Sequence, residues 1–460
     1  MSDSPFRRLR RLASPLHPRK VWDRLRHLAH RMGYYRVRLW VIAFDPRRIA
    51  NTVRWFRDLR TLQRRRREEL RLTVAVDVSA LWEPLTGIGW YLYRLLEHLA
   101  HRDDVVLRLY GPDVVDKGDV RPPTVDLPTG PAIEHIRHTV PENLSIVHYA
   151  LADRLRNRLD RLIAADGNAV LFAPNYFLPP WFDRATGARV ATIHDLSVLV
   201  VPETMRDSTR MQLTEHLERT ARRANHVLTD TETVRHELAD RGLVELERST
   251  AVHLGPGSIA TAEPTEPPAP LPPRYALHVG TLEPRKNLTM LLEAWALWRR
   301  WAAEREGPEP PPLVLCGGYG WKTDALRQAV DAGVDEGWLH HFGYLADGRV
   351  AALYRDATAV VMPSLYEGFG LPLVEAMAFG VPLVCSDIPV LREVAGDAAL
   401  FAPPDQPRAW VDQLSQLFGD PELHAQLQRR AEQRAPSFHW QTTAAATLDV
   451  WRAAAKDSKS

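Results

Sequence analysis

Two glutamates in the segment 363–382, PSLYEGFGLPLVEAMAFGVP, are the residues whose type and spacing most directly indicate chemistry in this chain. Glu367 precedes a Gly-Phe-Gly-Leu turn, and seven residues separate it from Glu375. A carboxylate accepts hydrogen bonds from sugar hydroxyls, whereas the unpaired N–H groups at a helix N-terminus bind phosphate. Chemistry on a nucleotide-linked sugar requires both kinds of group. The alternative interpretation is that Glu367 only caps a helix and Glu375 is only solvated.

The elements around this segment predict where its polar groups lie. Residues 359–362 (AVVM) have the composition of a short buried strand, and residues 373–379 favour a helix that Gly380 and Pro382 end. The carboxylates therefore flank a strand-to-helix crossover, which is where open α/β sheets bind ligands. The main-chain N–H groups predicted to hold a phosphate are those of Gly368, Phe369, Gly370 and Leu371.

This segment resembles the donor-site signature of retaining glycosyltransferases of family 4, which have the two-domain GT-B fold. The family pattern is E-x7-E, and Glu367 and Glu375 match its spacing within the closely similar context EGFGLP. The resemblance covers about residues 73–455 and is strongest over 275–404. It implies that Glu367 holds donor-sugar hydroxyls and stabilises positive charge at the anomeric carbon, and that Glu375 binds the ribose.

A basic pair, Arg285 and Lys286, lies in the segment GTLEPRKN that starts at Gly280, before a predicted helix over 288–298. Cations at the start of a helix are unfavourable unless an anion binds there, although a solvated charge pair is the alternative. The segment resembles the G-x-x-x-x-R-K-N variant of the same family. The resemblance implies that the pair neutralises the leaving nucleoside diphosphate. Thr281 stands where many relatives carry an arginine.

The first half of the chain contains a glycine-rich turn, LTGIGWY, in which Gly87 and Gly89 allow close approach of the backbone to a phosphate or sugar. A tight turn without a ligand is the alternative. The turn resembles the acceptor-side loop of the family, with Trp90 in place of the usual arginine.

His194 and Asp195 follow an apolar strand in the segment ATIHDL, at the end of the strand where site residues of such sheets lie. A lone histidine at this position is often structural, but the segment resembles the family's T-I-H-D-L motif. The resemblance implies that His194 lies near the reacting centre and that Asp195 orients it or helps to bind the acceptor. Asn175 is a further polar candidate, and Tyr344 occupies the position where relatives bind the nucleobase.

Strands alternate with helices from residue 73 onwards, in two series separated by the proline-rich segment 262–273. This alternation predicts two Rossmann-like, doubly wound α/β domains that face a cleft, the GT-B arrangement. Predicted strands cover 73–78, 105–110, 169–172, 189–193 and 226–229, then 275–279, 312–316, 339–342, 359–362 and 382–385. The predicted organisation is a basic helical extension over 1–72, an acceptor domain over 73–261, a linker over 262–273, a donor domain over 274–436 and a terminal helix over 437–455 that crosses back to the first domain.

The length of 460 residues predicts more than one domain, and the composition excludes several classes of protein. The two cysteines lie in apolar strand-like runs, which favours core residues over a disulfide or a metal site. No apolar run approaches the roughly 18 residues of a membrane-spanning helix, and the N-terminus does not resemble a secretory signal. A cytoplasmic location is therefore expected. No D-x-D triplet occurs, so no metal and no resident cofactor are expected.

Positive charge is concentrated at the start of the chain. Residues 1–72 contain 21 lysines and arginines against 6 aspartates and glutamates, whereas the whole chain has a formal net charge of +2. Tryptophans and apolar residues recur in this segment at helical spacing, which suits a peripheral helix on the anionic inner face of the plasma membrane. A packed or solvated extension is an open alternative, and nucleic acid is the least favoured partner.

Together these features predict a metal-independent, retaining hexosyltransferase that uses a nucleotide sugar. The resemblance favours mannose or a deoxyhexose from a GDP-sugar, and a saccharide or lipid-linked acceptor in surface polysaccharide assembly. The alternative is a non-catalytic protein that binds sugar or nucleic acid through its basic arm. A phosphorylase-like enzyme is a further rival, but it needs a longer chain and a pyridoxal lysine.

Overall fold

The computed structural model describes residues 71–81, 87–110, 161 and 163–458, together with the backbone of short strands between residues 112 and 139. The described lobes belong to one compact unit, Arg71–Ser460, which is separate from residues Met1–Leu70. The predicted basic helix in the extension 1–72 lies almost entirely outside the described residues. Within the described part of the chain, no helix is both long enough and apolar enough to cross a membrane.

The first lobe is built on a seven-stranded sheet in which every neighbouring pair of strands is parallel. Its strands are β1 (Leu72–Asp77), β2 (Val105–Tyr110), β5 (Ile133–His135), β7 (Val170–Ala173), β8 (Ala188–Ile193), β9 (His226–Thr229) and β10 (Ser249–Ala251). They lie in the order β10-β9-β8-β7-β1-β2-β5. A small separate sheet contains β3 (Pro112–Asp116), β4 (Asp119–Arg121) and β6 (His138–Thr139).

The second lobe contains a six-stranded sheet, also parallel throughout. Its strands are β11 (Ala276–Val279), β12 (Leu313–Cys316), β13 (Leu339–Phe342), β14 (Ala359–Met362), β15 (Leu383–Ser386) and β16 (Ala399–Ala402). They lie in the order β13-β12-β11-β14-β15-β16.

Helices follow most of these strands, as parallel connections require. The first lobe carries α1 (Gly87–Leu99), α2 (Ser197–Val200), α3 (Asp207–Arg223) and α4 (Glu232–Asp240). The second lobe carries α5 (Leu288–Glu304), α6 (Asp324–Asp335), α7 (Asp347–Asp356), α8 (Leu371–Ala378), α9 (Pro389–Ala395), α10 (Pro407–Gly419) and α11 (Pro421–Arg434). The final helix is α12 (Trp440–Asp457).

The strands form where the sequence has short, continuous apolar runs. Residues 74–76 of β1 and all of β12 and β14 are buried, because helices cover both faces of a parallel sheet. The ten strands predicted from the sequence are present with bounds that agree to within one residue. The predicted fold class, two Rossmann-like α/β domains, is confirmed.

Both sheets reverse their strand order at one point, between β1 and β7 in the first lobe and between β11 and β14 in the second. At such a point the loops after neighbouring strands lead to opposite faces of the sheet and leave a crevice at the carboxyl ends. The loops after β11 and β14 carry the predicted basic pair and Glu367. Strand order therefore brings together residues that are about 80 positions apart in the sequence.

The final helix belongs to the first lobe although it follows the second lobe in sequence. It packs against α1 and against β7, β8 and β9, where the rings of Trp451 and Phe172 lie 4.8 Å apart. At its start, Trp440 Nε1 donates a hydrogen bond of 2.7 Å to the main-chain oxygen of Pro256. The chain thus passes between the lobes twice, once near Pro256 and once near Trp440, and this bond joins the two crossings. The proline-rich segment 262–273 has no helix or strand and lies beside Gly348, whose oxygen accepts from Thr265 N.

Candidate functional site

A cavity of about 570 Å³ lies between the two lobes, at the carboxyl ends of their strands. The second lobe contributes the predicted basic pair, Glu367 and the glycine-rich turn after it, whereas the first lobe contributes His194 and apolar side chains. Of the residues predicted from the sequence, those that line the cavity are Gly87, His194, Asp195, Gly280, Arg285, Lys286, Glu367, Gly368, Phe369, Gly370 and Leu371.

The turn after β11 is fixed by its backbone and by Asn287. Gly280 has a φ of +147°, which L side chains rarely adopt, and its N–H donates to the oxygen of Cys316. A single 3-10 turn over Pro284–Lys286 follows, and Asn287 adopts a left-handed conformation at the start of α5. The Asn287 amide donates to the oxygens of Pro363 and Pro404. These bonds attach the turn to the loops after β14 and β16 and so position the basic pair.

Glu367 pairs with both cations. Its Oε1 lies 2.7 Å from Lys286 Nζ, and its Oε2 lies 2.8 Å from a guanidinium nitrogen of Arg285. Glu367 is 6% exposed and Lys286 is 8% exposed. Burial alone would raise the pKa of Glu367, but the charges of Arg285 and Lys286 hold this pKa at about 2. Glu367 is therefore ionised at neutral pH.

Glu283 completes this cluster. Its Oε1 lies 2.9 Å from the second terminal nitrogen of Arg285 and accepts a further bond from Arg285 Nε. Two cations and two carboxylates thus balance one another on the wall of the cavity. An incoming diphosphate can still bind, because Lys has three donors and Arg has five, but it must share these donors with the carboxylates.

The loop that follows Glu367 contacts the first lobe directly. A Cβ atom at Gly368 would lie 1.9 Å from the main-chain oxygen of His194, so only glycine fits there. Thr231 Oγ1 donates a bond of 3.0 Å to the Gly368 oxygen. Gly370 has a φ of +93° and leads into α8, whose first N–H groups have no partner within the helix. This turn therefore presents main-chain donors to the cavity.

His194 follows β8, and both of its ring nitrogens have acceptors. Nδ1 lies 2.8 Å from Asp230 Oδ2, and Nε2 lies 2.9 Å from the oxygen of Pro174. A carbonyl oxygen and a carboxylate oxygen both accept, so this pair of partners favours a ring that carries a proton on each nitrogen. Burial opposes this charge, but Asp230 and the Pro174 carbonyl raise the pKa of His194. The ring also packs edge-on against Tyr91, with centroids 4.8 Å apart.

Comparison with known proteins places this geometry in a family. The chain is 32% identical over 387 residues to the O-antigen chain mannosyltransferase B of Escherichia coli, a match that covers 80% of this chain and 96% of that protein. The family model described as "Glycosyl transferases group 1" matches residues 261–434. The chain belongs to the glycosyl transferases group 1 family. The prediction of a glycosyltransferase is therefore confirmed.

Other relatives agree with this assignment. The O-antigen chain mannosyltransferase RfbU of Salmonella typhimurium is 25% identical over 259 residues, which covers 56% of this glycosyltransferase and 67% of that protein. Among solved structures, sucrose-phosphate synthase from Thermosynechococcus elongatus has a TM-score of 0.63 at 21% identity and covers 83% of this chain and 98% of that one. WaaG, a glycosyltransferase involved in lipopolysaccharide biosynthesis, has a TM-score of 0.57 at 16% identity, with coverages of 82% and 99%. The two structures support the fold.

Glu375 of this glycosyltransferase lies outside the cavity lining. It is 5% exposed and accepts a hydrogen bond of 3.0 Å from Tyr354 Oη. A Cβ atom at Gly257 would lie 2.1 Å from Glu375 Oε1, so the chain between the lobes packs directly on this carboxyl. Burial raises the pKa of Glu375 to about 8, which makes it neutral at pH 7.

Three other predicted residues also lie outside the cavity lining. Tyr344 is 89% exposed, and Gly89 is buried within α1. The Asn175 side chain accepts a hydrogen bond from Phe177 N and shapes a turn. Asp195 lines the cavity, but its Oδ1 accepts bonds from the main chain and hydroxyl of Ser197 at the start of α2.

Glu283 and Asp230 are site residues that the sequence reasoning missed. Glu283 is an acid inside a basic motif, two positions before Arg285, and this spacing was a signal for a local ion pair. Asp230 directly follows β9, the same position relative to its strand that identified His194. The rule about strand ends therefore applied to both residues.

The first-lobe end of the cavity has an apolar surface beside its polar residues. Val198 of α2 and Met205, just before α3, form one part of the apolar surface. Leu213 and Leu217 of α3 form the other part. These side chains face the ionic cluster of the second lobe across the cleft. One cavity therefore has an apolar surface on the first lobe and an ionic cluster on the second.

Proposed function

We propose that this glycosyltransferase transfers a hexose, with retention of anomeric configuration, from a GDP-sugar to a saccharide or lipid-linked acceptor during polysaccharide assembly. Mannose is the favoured sugar and a deoxyhexose the alternative. The observation that carries the proposal is the buried cluster of Glu367, Arg285 and Lys286 on a cleft wall opposite His194. The printed names of the O-antigen mannosyltransferase relatives support the choice of sugar.

The cluster can stabilise the negative charge on the leaving diphosphate and the positive charge on the anomeric carbon as the donor bond breaks. Arg285, Lys286 and the N–H groups after Glu367 offer positive potential to a diphosphate, which stabilises the leaving group as its bond to the anomeric carbon breaks. Glu367 is held ionised, so it can accept hydrogen bonds from sugar hydroxyls and stabilise positive charge that develops at the anomeric carbon. Interactions that strengthen as charge separates lower the barrier.

Retention requires the acceptor oxygen to enter on the face that the diphosphate leaves. In this step the bond from the anomeric carbon to the phosphate oxygen breaks, the acceptor oxygen bonds to the same carbon, and its proton passes to the departing phosphate. Both ring nitrogens of His194 are already hydrogen-bonded to Asp230 and Pro174, so neither is free to take that proton, which favours the departing phosphate as the base. A double displacement is the alternative and would need a carboxylate nucleophile at the reacting carbon.

A panel of nucleotide sugars tests the proposal. We expect diphosphate release from a GDP-sugar in the presence of EDTA, with a product whose anomeric configuration, read by NMR, matches that of the donor. Glu367→Ala should abolish turnover, and Glu432→Ala, which changes a glutamate of α11, is a matched control. The absence of turnover with every donor, or equal turnover by wild type and Glu367→Ala, would contradict the proposal.

We also propose that residues 1–72 attach the enzyme to the inner face of the plasma membrane. Their excess of lysine and arginine and their tryptophans support this interpretation. Removing residues 1–70 leaves β1 intact and should abolish sedimentation with vesicles that contain anionic lipid, without loss of donor turnover. Unchanged sedimentation would refute membrane attachment and leave the packed extension as the explanation.

A further inference from the structure

His278 is a buried histidine that the mechanism above does not use. It lies in the central strand β11, one residue before the strand ends, and is 1% exposed. Its Nδ1 lies 3.1 Å from the main-chain oxygen of Val361 in the neighbouring strand β14. Because a carbonyl oxygen can only accept, Nδ1 carries the proton and Nε2 is left as an acceptor.

Nε2 of His278 is buried and has no hydrogen-bond partner among the described residues. Leaving a buried polar atom without a hydrogen bond is unfavourable, so such atoms in native structures call for an explanation. Protonation does not supply one, because burial and the nearby charge of Lys286 hold the pKa of His278 at about 4. The ring is therefore neutral at pH 7 and presents a lone pair.

The lone pair lies beside the site. A Cβ atom at Gly280 would be 3.8 Å from His278 Nε2 and also 3.8 Å from Lys286 Cε. The ring edge and the last methylene of Lys286 therefore flank the same glycine, which lines the cavity. The ammonium on that methylene donates to Glu367 and has two further protons.

We propose that His278 is a positioning residue for Lys286, and that its Nε2 accepts a hydrogen bond from the ammonium when this turns from Glu367 towards the donor diphosphate. The inference rests on the proposed function, because it requires a diphosphate at this turn. His278 does not touch the donor. It fixes the direction of a charge that does, and a neutral acceptor achieves this without competing with the phosphate for the charge of Lys286.

Two substitutions separate the two nitrogens of His278. In His278→Asn the side-chain amide can replace Nδ1–H as the donor to Val361, but nothing reaches the position of Nε2. In His278→Gln the longer side chain places an amide oxygen near that position. Since a hydrogen bond to a charged group contributes about 1.5–3 kcal/mol, we expect His278→Asn to bind GDP at least about tenfold more weakly than wild type. His278→Gln should recover most of the affinity.

The measurement is calorimetric titration of the full chain with GDP, and in parallel with UDP, combined with thermal unfolding of each variant. The same substitutions are then made in a Lys286→Met background. If His278 acts through Lys286, His278→Asn changes nothing there, whereas a general packing defect weakens binding in both backgrounds.

The outcomes distinguish this inference from the proposed function. Loss of affinity in His278→Asn, recovery in His278→Gln and no effect in the Lys286→Met background support the inference. Wild-type affinity in His278→Asn, or a loss that persists without Lys286, overturns it and leaves the proposed function intact. A wild-type chain that binds neither nucleotide overturns both.

Discussion

The two walls of the cleft are built in different ways. The second-lobe wall is a compact ionic cluster, in which Glu367 joins Arg285 and Lys286 within 2.8 Å and Glu283 holds Arg285 from the other side. The first-lobe wall has the pair of His194 with Asp230, and the carboxyl of Asp195, beside an apolar surface that includes Met205 and Leu213. Ion pairs hold the polar groups of the second-lobe wall in place, whereas the first-lobe wall also presents an apolar surface.

This difference indicates a division of labour. A donor diphosphate is the same in every reaction cycle, so a rigid set of charges can be positioned for it in advance. Apolar contacts have no preferred direction, so an apolar surface suits the variable part of an acceptor. The comparison predicts that changes on the second-lobe wall reduce the rate itself, whereas changes on the first-lobe apolar surface alter acceptor affinity alone.

The largest expected effect comes from the ionic wall. Lys286→Met removes the cation that we propose stabilises the leaving diphosphate and should reduce kcat/KM for the donor by about 10²- to 10³-fold. Lys456→Met, at an exposed position of α12, is a matched control and should leave kcat/KM unchanged. Steady-state kinetics over a range of donor concentrations measures both. A loss of less than tenfold in Lys286→Met would remove the basis for the comparison.

The contact between the two walls should be nearly as sensitive. Gly368→Ala introduces a Cβ atom 1.9 Å from the His194 oxygen, so the loop and the first lobe must separate. Because a misplacement of about 1 Å can cost roughly 100-fold in rate, we expect kcat to fall by about that factor. Gly419→Ala, where a Cβ atom meets nothing within 4 Å, is the control. If kcat is unaffected by Gly368→Ala, the two walls do not need to be in contact during the reaction.

The apolar wall should respond through acceptor binding. Leu213→Ser removes an aliphatic side chain from the cavity and should raise KM for the acceptor about tenfold, with KM for the donor unchanged. Met211 lies on the same helix but is 71% exposed and outside the cavity lining. Met211→Ser is therefore the control, measured with acceptor varied at saturating donor. A change in donor KM would show that the walls are not independent.

The smallest expected effect is on stability and concerns Glu375. Its folded-state pKa of about 8 lies above the ordinary value of 4.5, so its contribution to stability is complete below pH 4.5 and is lost as pH rises through 8. Wild type should lose stability between pH 5 and 8 relative to Glu375→Gln, by up to about 1.4 kcal/mol per pH unit. Urea unfolding at pH 5, 6.5 and 8 measures this difference. If the free energy of unfolding of both proteins changes equally with pH, then Glu375 is already ionised at pH 5 despite its contact with Gly257.

The sequence predicted the parts of this molecule that depend on local pattern. Apolar runs identified the strands, and the rule that site residues follow strands located His194 and Glu367. The same rule, applied to the residue after β9, would have identified Asp230. Gly280 likewise has the positive φ that a glycine after a strand suggests.

Contacts between distant segments could not be read from the sequence. The E-x7-E spacing places Glu375 on a helix but does not show that Gly257, more than 100 positions earlier, packs on its carboxyl. Nor does it show that Gly368 must be a glycine because of His194. His278 Nε2, which has no partner in the part of the chain that the structure describes, is a further example, since its position depends on how β11 and β14 pair.

The bond between Trp440 and Pro256 has a consequence for how the cleft can open. A body attached at a single crossing can swing and twist in any direction, but here the two crossings of the chain are tied to each other. Because this bond holds the two crossings together, both segments must move when the lobes turn relative to each other. A substitution that breaks this bond would free each crossing to bend separately and would loosen the contact between Gly368 and the His194 oxygen.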